Sequence, residues 1–115
     1  MNREHIRLIE QVAELRTAHD IDRLSALFAE DVLFEDVPLG VVARGRDEMK
    51  ALFTGTWASI PDFAMTLGSV MTEGDLGGAE WIMSGTHLGD FPRLPASGAS
   101  ISIRAVATMG FPTGS

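Results

Sequence analysis

Cysteine is absent from the 115-residue sequence. No disulfide, no thiol nucleophile and no thiolate metal site is therefore available. Basic residues are scarce: 9 Lys and Arg stand against 16 Asp and Glu, for a net charge of −7 and a pI of about 4.7. That balance argues against nucleic acid and anionic membrane surfaces as partners, because both select a basic face. There is no apolar run of about 18 residues, so no membrane-spanning helix is predicted. The charged opening MNREHIRLIE is helix-like and does not read as a secretory signal. Repeats, linkers and low-complexity tracts are missing too. With 45% apolar residues, the chain is expected to form one folded domain over residues 1–115, in the cytoplasm.

The hydrophobic pattern changes period along the chain. Ile6, Ile9, Val12, Ala13 and Leu15 or Arg16 recur at helical spacing over residues 3–17, with Glu4, Arg7, Glu14 and Arg16 falling largely on the wet side. Asp20 is placed to cap a second, shorter helix whose stripe is Ile21, Leu24, Leu27 and Phe28. Val32, Phe34 and Asp36 then alternate with Leu33 and Glu35, which predicts a strand. Residues 41–44 read as extended. A third helix follows over 46–59, with Met49, Leu52, Phe53 and Trp57 on one face and Asp47 and Glu48 in its first turn. After Pro61 the period becomes two. Phe63, Met65, Leu67, Ser69 and Met71 are expected to share a face, as are Ala79, Trp81, Met83, Gly85 and His87. A Pro- and Gly-rich loop covers 88–98, and Ile101 to Phe111 alternate along a last strand. Helices gathered on one side of an antiparallel sheet make an α+β domain, and a curved sheet closed by helices leaves an apolar pocket suited to Met and Trp linings.

Asp36 is the leading candidate for chemistry. It ends its strand on the face of Val32 and Phe34, just before Pro38 and Gly40. A carboxylate among apolar neighbours loses hydration and holds its proton more tightly, one recipe for a general acid or base. The plainer alternative is that Asp36 caps the turn at Pro38 and Gly40. His87 is a second candidate, because histidine suits proton transfer near neutral pH; alternatively it only anchors the adjacent loop. His5 and His19 are expected to face solvent. No pair of histidines has metal-ligand spacing, so no metal site is expected. Phe34, Trp57, Met65, Trp81, Met83 and Phe91 are candidate pocket-lining residues. Arg104 is either a surface salt-bridge partner or an oxyanion clamp.

The runs ALFAEDVLFEDVPLG, GRDEMKALF, IPDF and AEWIMSGTHLGDFPRLPASGASISI resemble the SnoaL-like polyketide cyclases of the nuclear transport factor 2-like superfamily. Ketosteroid isomerase and limonene-epoxide hydrolase are relatives. The likeness spans about residues 6–111, and its most telling parts are Trp81 to His87, Ile60-Pro61-Asp62, and the loop with Pro95 and Gly98. It implies a cone: a strongly curved sheet wrapped over three helices of the N-terminal half, open at one end onto an apolar cavity, and dimers formed through the outer sheet face. It places Asp36 where isomerase relatives keep a proton-abstracting aspartate, and His87 on the cyclase-type histidine. Asp90 lies near an acid of the epoxide hydrolases.

The sequence also departs from these relatives. The isomerases polarise substrate with a tyrosine on the first helix, but this chain has no tyrosine, and Val12 stands at about that place. Arg104 and Ala107 lie where their second oxyanion donor would be, so the usual ketosteroid isomerisation is not expected. Relatives continue into one more strand after the last turn, which here would leave two strand edges unpaired and invite pairing with another chain. The implied function is a cofactor-independent acid/base enzyme: a cyclase, isomerase or dehydratase for a small apolar carbonyl compound. A binding module with the same pocket is the alternative. Epoxide hydrolysis, with only Asp90 and Arg104 as remnants, ranks last.

Overall fold

The computed structural model describes residues 3–36, 40–89 and 97–111. Three helices precede the long strands. These are α1 (Arg3–Ala18), α2 (Ile21–Ala26) and, after a short hairpin of β1 (Leu33–Asp36) and β2 (Val41–Arg44), α3 (Gly45–Ser59). Strands β3 (Ala64–Glu73), β4 (Leu76–Thr86) and β5 (Ser100–Gly110) follow, paired antiparallel in the order β3-β4-β5. This is the expected α+β arrangement, with helices and hairpin laid against a curled, unclosed sheet.

The local signals act as their chemistry dictates. Asp20 accepts a hydrogen bond from the Arg23 amide at 3.2 Å and caps α2. α2 itself stops at Ala26, two residues short of the expected stripe, yet Leu27 and Phe28 still pack on the core. Glu48 accepts from the Arg44 amide at 2.9 Å, satisfying a donor at the start of α3. The Gly45 amide donates to the Val32 carbonyl at 2.7 Å, and Arg46 Nε donates to the Phe28 carbonyl at 2.8 Å. Together they tie the hairpin to the head of α3. Thr17 staples α1 to β3: its hydroxyl donates to the Met65 carbonyl at 3.1 Å and accepts from the Met65 amide at 2.9 Å.

The core lies between the helices and the inner sheet face. Ile9, Leu24, Met49 and Phe53 are fully buried, joined by Trp57, Ile60, Phe63, Met65, Ala79 and Trp81. Along β4 the expected inner face holds, with Gly77, Ala79, Trp81 and His87 buried. Along β3 it fails halfway. The register with β4 slips between Leu67 and Val70, so Val70 packs inward, Thr72 is buried, and Ser69 and Met71 turn out to solvent. A bulge adds a residue to one strand and reverses the faces beyond it, which alternation alone does not anticipate.

Three further expectations are corrected. Arg16, placed largely on the wet side, lies over the rings of Phe53 and Phe63, with its guanidinium carbon 4.5 Å and 5.0 Å from their centroids. His5 stacks on Phe111 with ring centres 3.9 Å apart. His19 stacks on Trp57 at 4.8 Å. In each case tertiary packing offers an aromatic face that makes a half-buried position better than a solvated one.

Candidate active site

β1 sets the position of Asp36. Phe34 faces inward and meets Phe53 edge-on at 5.1 Å, while Leu33 and Glu35 are exposed. Asp36, two residues on, shares the Phe34 face and is half-buried. Its negative charge acts on the Arg16 guanidinium. That cation is held low, at about 10 and well below the ordinary guanidinium range, because burial disfavours its charge more than Asp36 restores it. Arg16 Nε is shut off from solvent and makes no hydrogen bond among the described residues. The other reading of Asp36, as a cap for the turn, involves Pro38, which lies outside the described residues.

Around this pair the aromatic groups continue. α1 ends in a motif in which the Asp20 amide donates to the Leu15 carbonyl at 3.1 Å and the His19 amide to the Arg16 carbonyl at 3.4 Å. His19 occupies the left-handed position, φ 56°, that glycine usually takes. Its ring lies flat on Trp57, and Nε2 donates to the Phe63 carbonyl at 3.1 Å, which leaves Nδ1 as the free acceptor in the neutral ring. Trp57 Nε1 is buried and makes no hydrogen bond among the described residues.

His87 stands just past the end of β4 and is buried. Its amide donates to the Ala99 carbonyl at 3.0 Å and its carbonyl accepts from Gly98 at 2.8 Å, so the loop closes back onto it. The two sequence runs flagged above meet here. Asp62 accepts from the Thr86 amide at 2.7 Å and the Thr86 hydroxyl at 2.9 Å, and these bonds hold the Asp62 carboxyl below the usual carboxylate range. At Gly85, φ 157°, a Cβ would fall 2.2 Å from Ile60 Cγ2. The glycine is there because Ile60 occupies the space a side chain would need. Ile60-Pro61-Asp62 thus fixes Gly85-Thr86-His87 and sets where His87 emerges.

The remaining candidates divide. Met65 and Trp81 are buried in the core, and Met83 packs partly against it on the same inner face. Asp90 and Phe91 lie outside the described residues. Arg104 does not join the inner set: it is exposed on the opposite face of β5 from Ala105, 3.9 Å from Glu80. Of its two readings, this position matches the surface salt bridge, because alternation points the side chain outward. Sequence reasoning missed Arg16 and His19. The signal for Arg16 was present, since it follows Ile9, Val12 and Ala13 by seven, four and three residues and so continues their stripe.

The described residues leave hollows at the surface, two of which are well defined. One of about 680 Å³ runs between α1 and β3, lined by Glu10, Glu14, Thr17, Met65 and Leu67 among others. A smaller one of about 350 Å³ lies at Glu30 and Arg44 to Asp47. Neither is lined by Asp36 or His87. No group of three or more acidic or histidine side chains suited to a metal ion occurs among the described residues. None of their helices is long and apolar enough to cross a membrane.

Three helices and a hairpin against a curled antiparallel sheet, with an inward acid on the first strand, define a nuclear transport factor 2-like domain. The chain belongs to the SnoaL-like polyketide cyclase family, whose model matches residues 6–114. Solved structures share the fold. TsrD from Streptomyces laurentii superposes with a TM-score of 0.84 at 22% identity, covering 98% of this chain and 83% of that one. A provisionally assigned SnoaL-like polyketide cyclase from Shewanella denitrificans OS-217 gives 0.82 at 19% identity, over 97% and 82% of the two chains. A protein of ketosteroid isomerase-like fold from Catenulispora acidiphila DSM 44928 gives 0.80 at 19%, over 92% and 76%. At these identities the likeness establishes architecture. None of the curated proteins is significantly similar to the chain.

Proposed function

We propose that the protein is a cytoplasmic, cofactor-independent acid/base enzyme of the cyclase type, acting on a small, largely apolar carbonyl compound. The observation that carries this reading is the Asp36 carboxylate: half-buried, on the inward face of β1, and electrostatically coupled to the buried Arg16 cation. In the reaction, Asp36 takes a proton from the carbon next to a carbonyl. The C–H electron pair moves onto the carbonyl oxygen as an enolate. The enolate carbon attacks a second carbonyl of the same molecule, forming the ring C–C bond, and His87 gives a proton to the new alkoxide. General acid–base steps of this kind contribute about 10²- to 10⁴-fold. Asp36→Asn and His87→Ala, assayed against a panel of polyketide-like ketones, should each lose turnover on that scale. Unchanged turnover in both variants would remove the assignment.

A second reading, a pocket that binds an apolar ligand without chemistry, is favoured by one observation: both described hollows lie away from Asp36 and His87. Thermal stabilisation by apolar ligands with no product formed would select it. The proposal also includes a homodimer through the outer sheet face, where Met71, Leu76, Ile82 and Val106 are exposed. Exposed apolar side chains on one sheet face favour such a contact.

A further inference from the structure

We infer that Arg16 is a ligand-binding residue that receives an anionic oxygen, and hence that the molecule bound beside Asp36 is an acid: a carboxylate, or an ionised enol or phenol. This deepens the acid/base reading above and rests on the same site.

The argument begins with what Arg16 lacks. A guanidinium carries five N–H donors and no acceptor. Buried donors are almost always satisfied, and the exceptions call for a specific explanation. Arg16 Nε is sealed from water and makes no hydrogen bond among the described residues. The planes that hold it are the rings of Phe53 and Phe63, at 4.5 Å and 5.0 Å. Rings fix the position of the fork without occupying its in-plane hydrogen-bonding edge. Trp57 Nε1, also a donor only, is sealed and makes no hydrogen bond among the described residues, in the same cluster, joined to Phe63 through the stacked His19. Two sealed N–H donors, Arg16 Nε and Trp57 Nε1, with no acceptor for either among the described residues make a site complementary to an oxygen carrying negative charge.

Charge accounting points the same way. Asp36 is the acid whose charge is felt at Arg16. When Asp36 takes a proton it becomes neutral, and the electron pair of the broken C–H bond moves onto the ligand's oxygen. Arg16 therefore loses one anionic neighbour as another forms. The surroundings of Arg16 also disfavour an uncompensated cation, since burial is the leading influence on it.

The test is direct binding, by calorimetry at pH 7, of 1-naphthoate and of its neutral near-isostere 1-naphthylmethanol. The folded wild type should bind the acid about tenfold or more tightly than the alcohol. Arg16→Gln should abolish that preference while leaving alcohol binding within about threefold. Arg16→Lys, which keeps the charge without the fork, should retain part of the preference and guards against a folding defect in the first variant. Asp36→Asn should keep the preference or strengthen it, because it removes a like charge from the ligand's neighbourhood. Equal affinities in the wild type, no binding of either probe, or an acid preference that survives Arg16→Gln would overturn the inference. The readout is binding alone, so turnover that proves independent of Asp36 would sink the catalytic reading and leave this one standing.

Discussion

Replacing Arg16 by methionine should make the unliganded protein more stable. Burial holds the guanidinium at about 10, well below its range outside the fold. At about 1.36 kcal/mol per pH unit, that gap corresponds to about 3 kcal/mol by which folding disfavours the charged form. The sign follows from linkage. The unfolded chain binds this proton more tightly, so the penalty is fully present at every pH below about 10 and is relieved only as pH rises above that value. Methionine keeps an unbranched stem against Phe53 and Phe63 and carries no charge to desolvate. Against the gain stand the lost cation–ring attraction, about 0.5–2 kcal/mol, and the cation withdrawn from Asp36. A net stabilisation of about 1–2 kcal/mol remains, or about 4–8 °C in Tm for a domain of this size. Thermal and urea unfolding at pH 7 would measure it. A fall in Tm of more than about 2 °C in Arg16→Met would refute the reasoning, because it would mean that the buried cation is compensated within the fold itself. The same variant should lose binding of acids, trading function for stability.

Gly85→Ala should destabilise by about 1–3 kcal/mol, since the added Cβ would fall 2.2 Å from Ile60 Cγ2; an unchanged urea midpoint would show that Ile60 can give way. Asp62→Asn should be less stable than wild type at neutral pH. Asp62 sits below its ordinary carboxylate value, so its contribution is present above about pH 4 and is lost as pH falls through the folded value. The Tm gap between the two proteins should therefore shrink on acidification, and a gap constant from pH 7 to pH 3 would contradict the clamp. Val106→Glu places a charge on a residue that is 77% exposed on the outer sheet face. Light scattering should show the wild type as a dimer and this variant as a monomer, and identical masses for both would count against that interface.

Most of the architecture was legible in the sequence because burial there follows a period. Ile6, Ile9, Val12 and Ala13 announce α1, Ala79, Trp81 and Met83 announce β4, and Asp20 announces the start of α2 as a side chain that bonds a free amide. What stayed hidden depends on partners far along the chain. Arg16 was open between the apolar stripe and the wet side, because only Phe53 and Phe63, far along the chain, make a half-buried guanidinium tolerable. His19 was read as solvated because neither Trp57 nor the Phe63 carbonyl is near it in sequence. Ile60-Pro61-Asp62 and Gly85-Thr86-His87 were recognisable as separate runs. Their shared purpose, one clamping the other, exists only once the chain has folded.

The slip between Leu67 and Val70 makes the curl of the sheet a local property of the chain. Gly68 comes so near the neighbouring strand that a Cβ there would lie 3.1 Å from the Glu80 carbonyl oxygen. Deleting one residue at this point would restore two residues against two, so that Val70 and Thr72 stayed inside and Met71 outside while the local bend of β3 was lost. A domain hinged in this way can acquire a hollow of new width by a single-codon change in length, with the carboxylate on β1 left untouched.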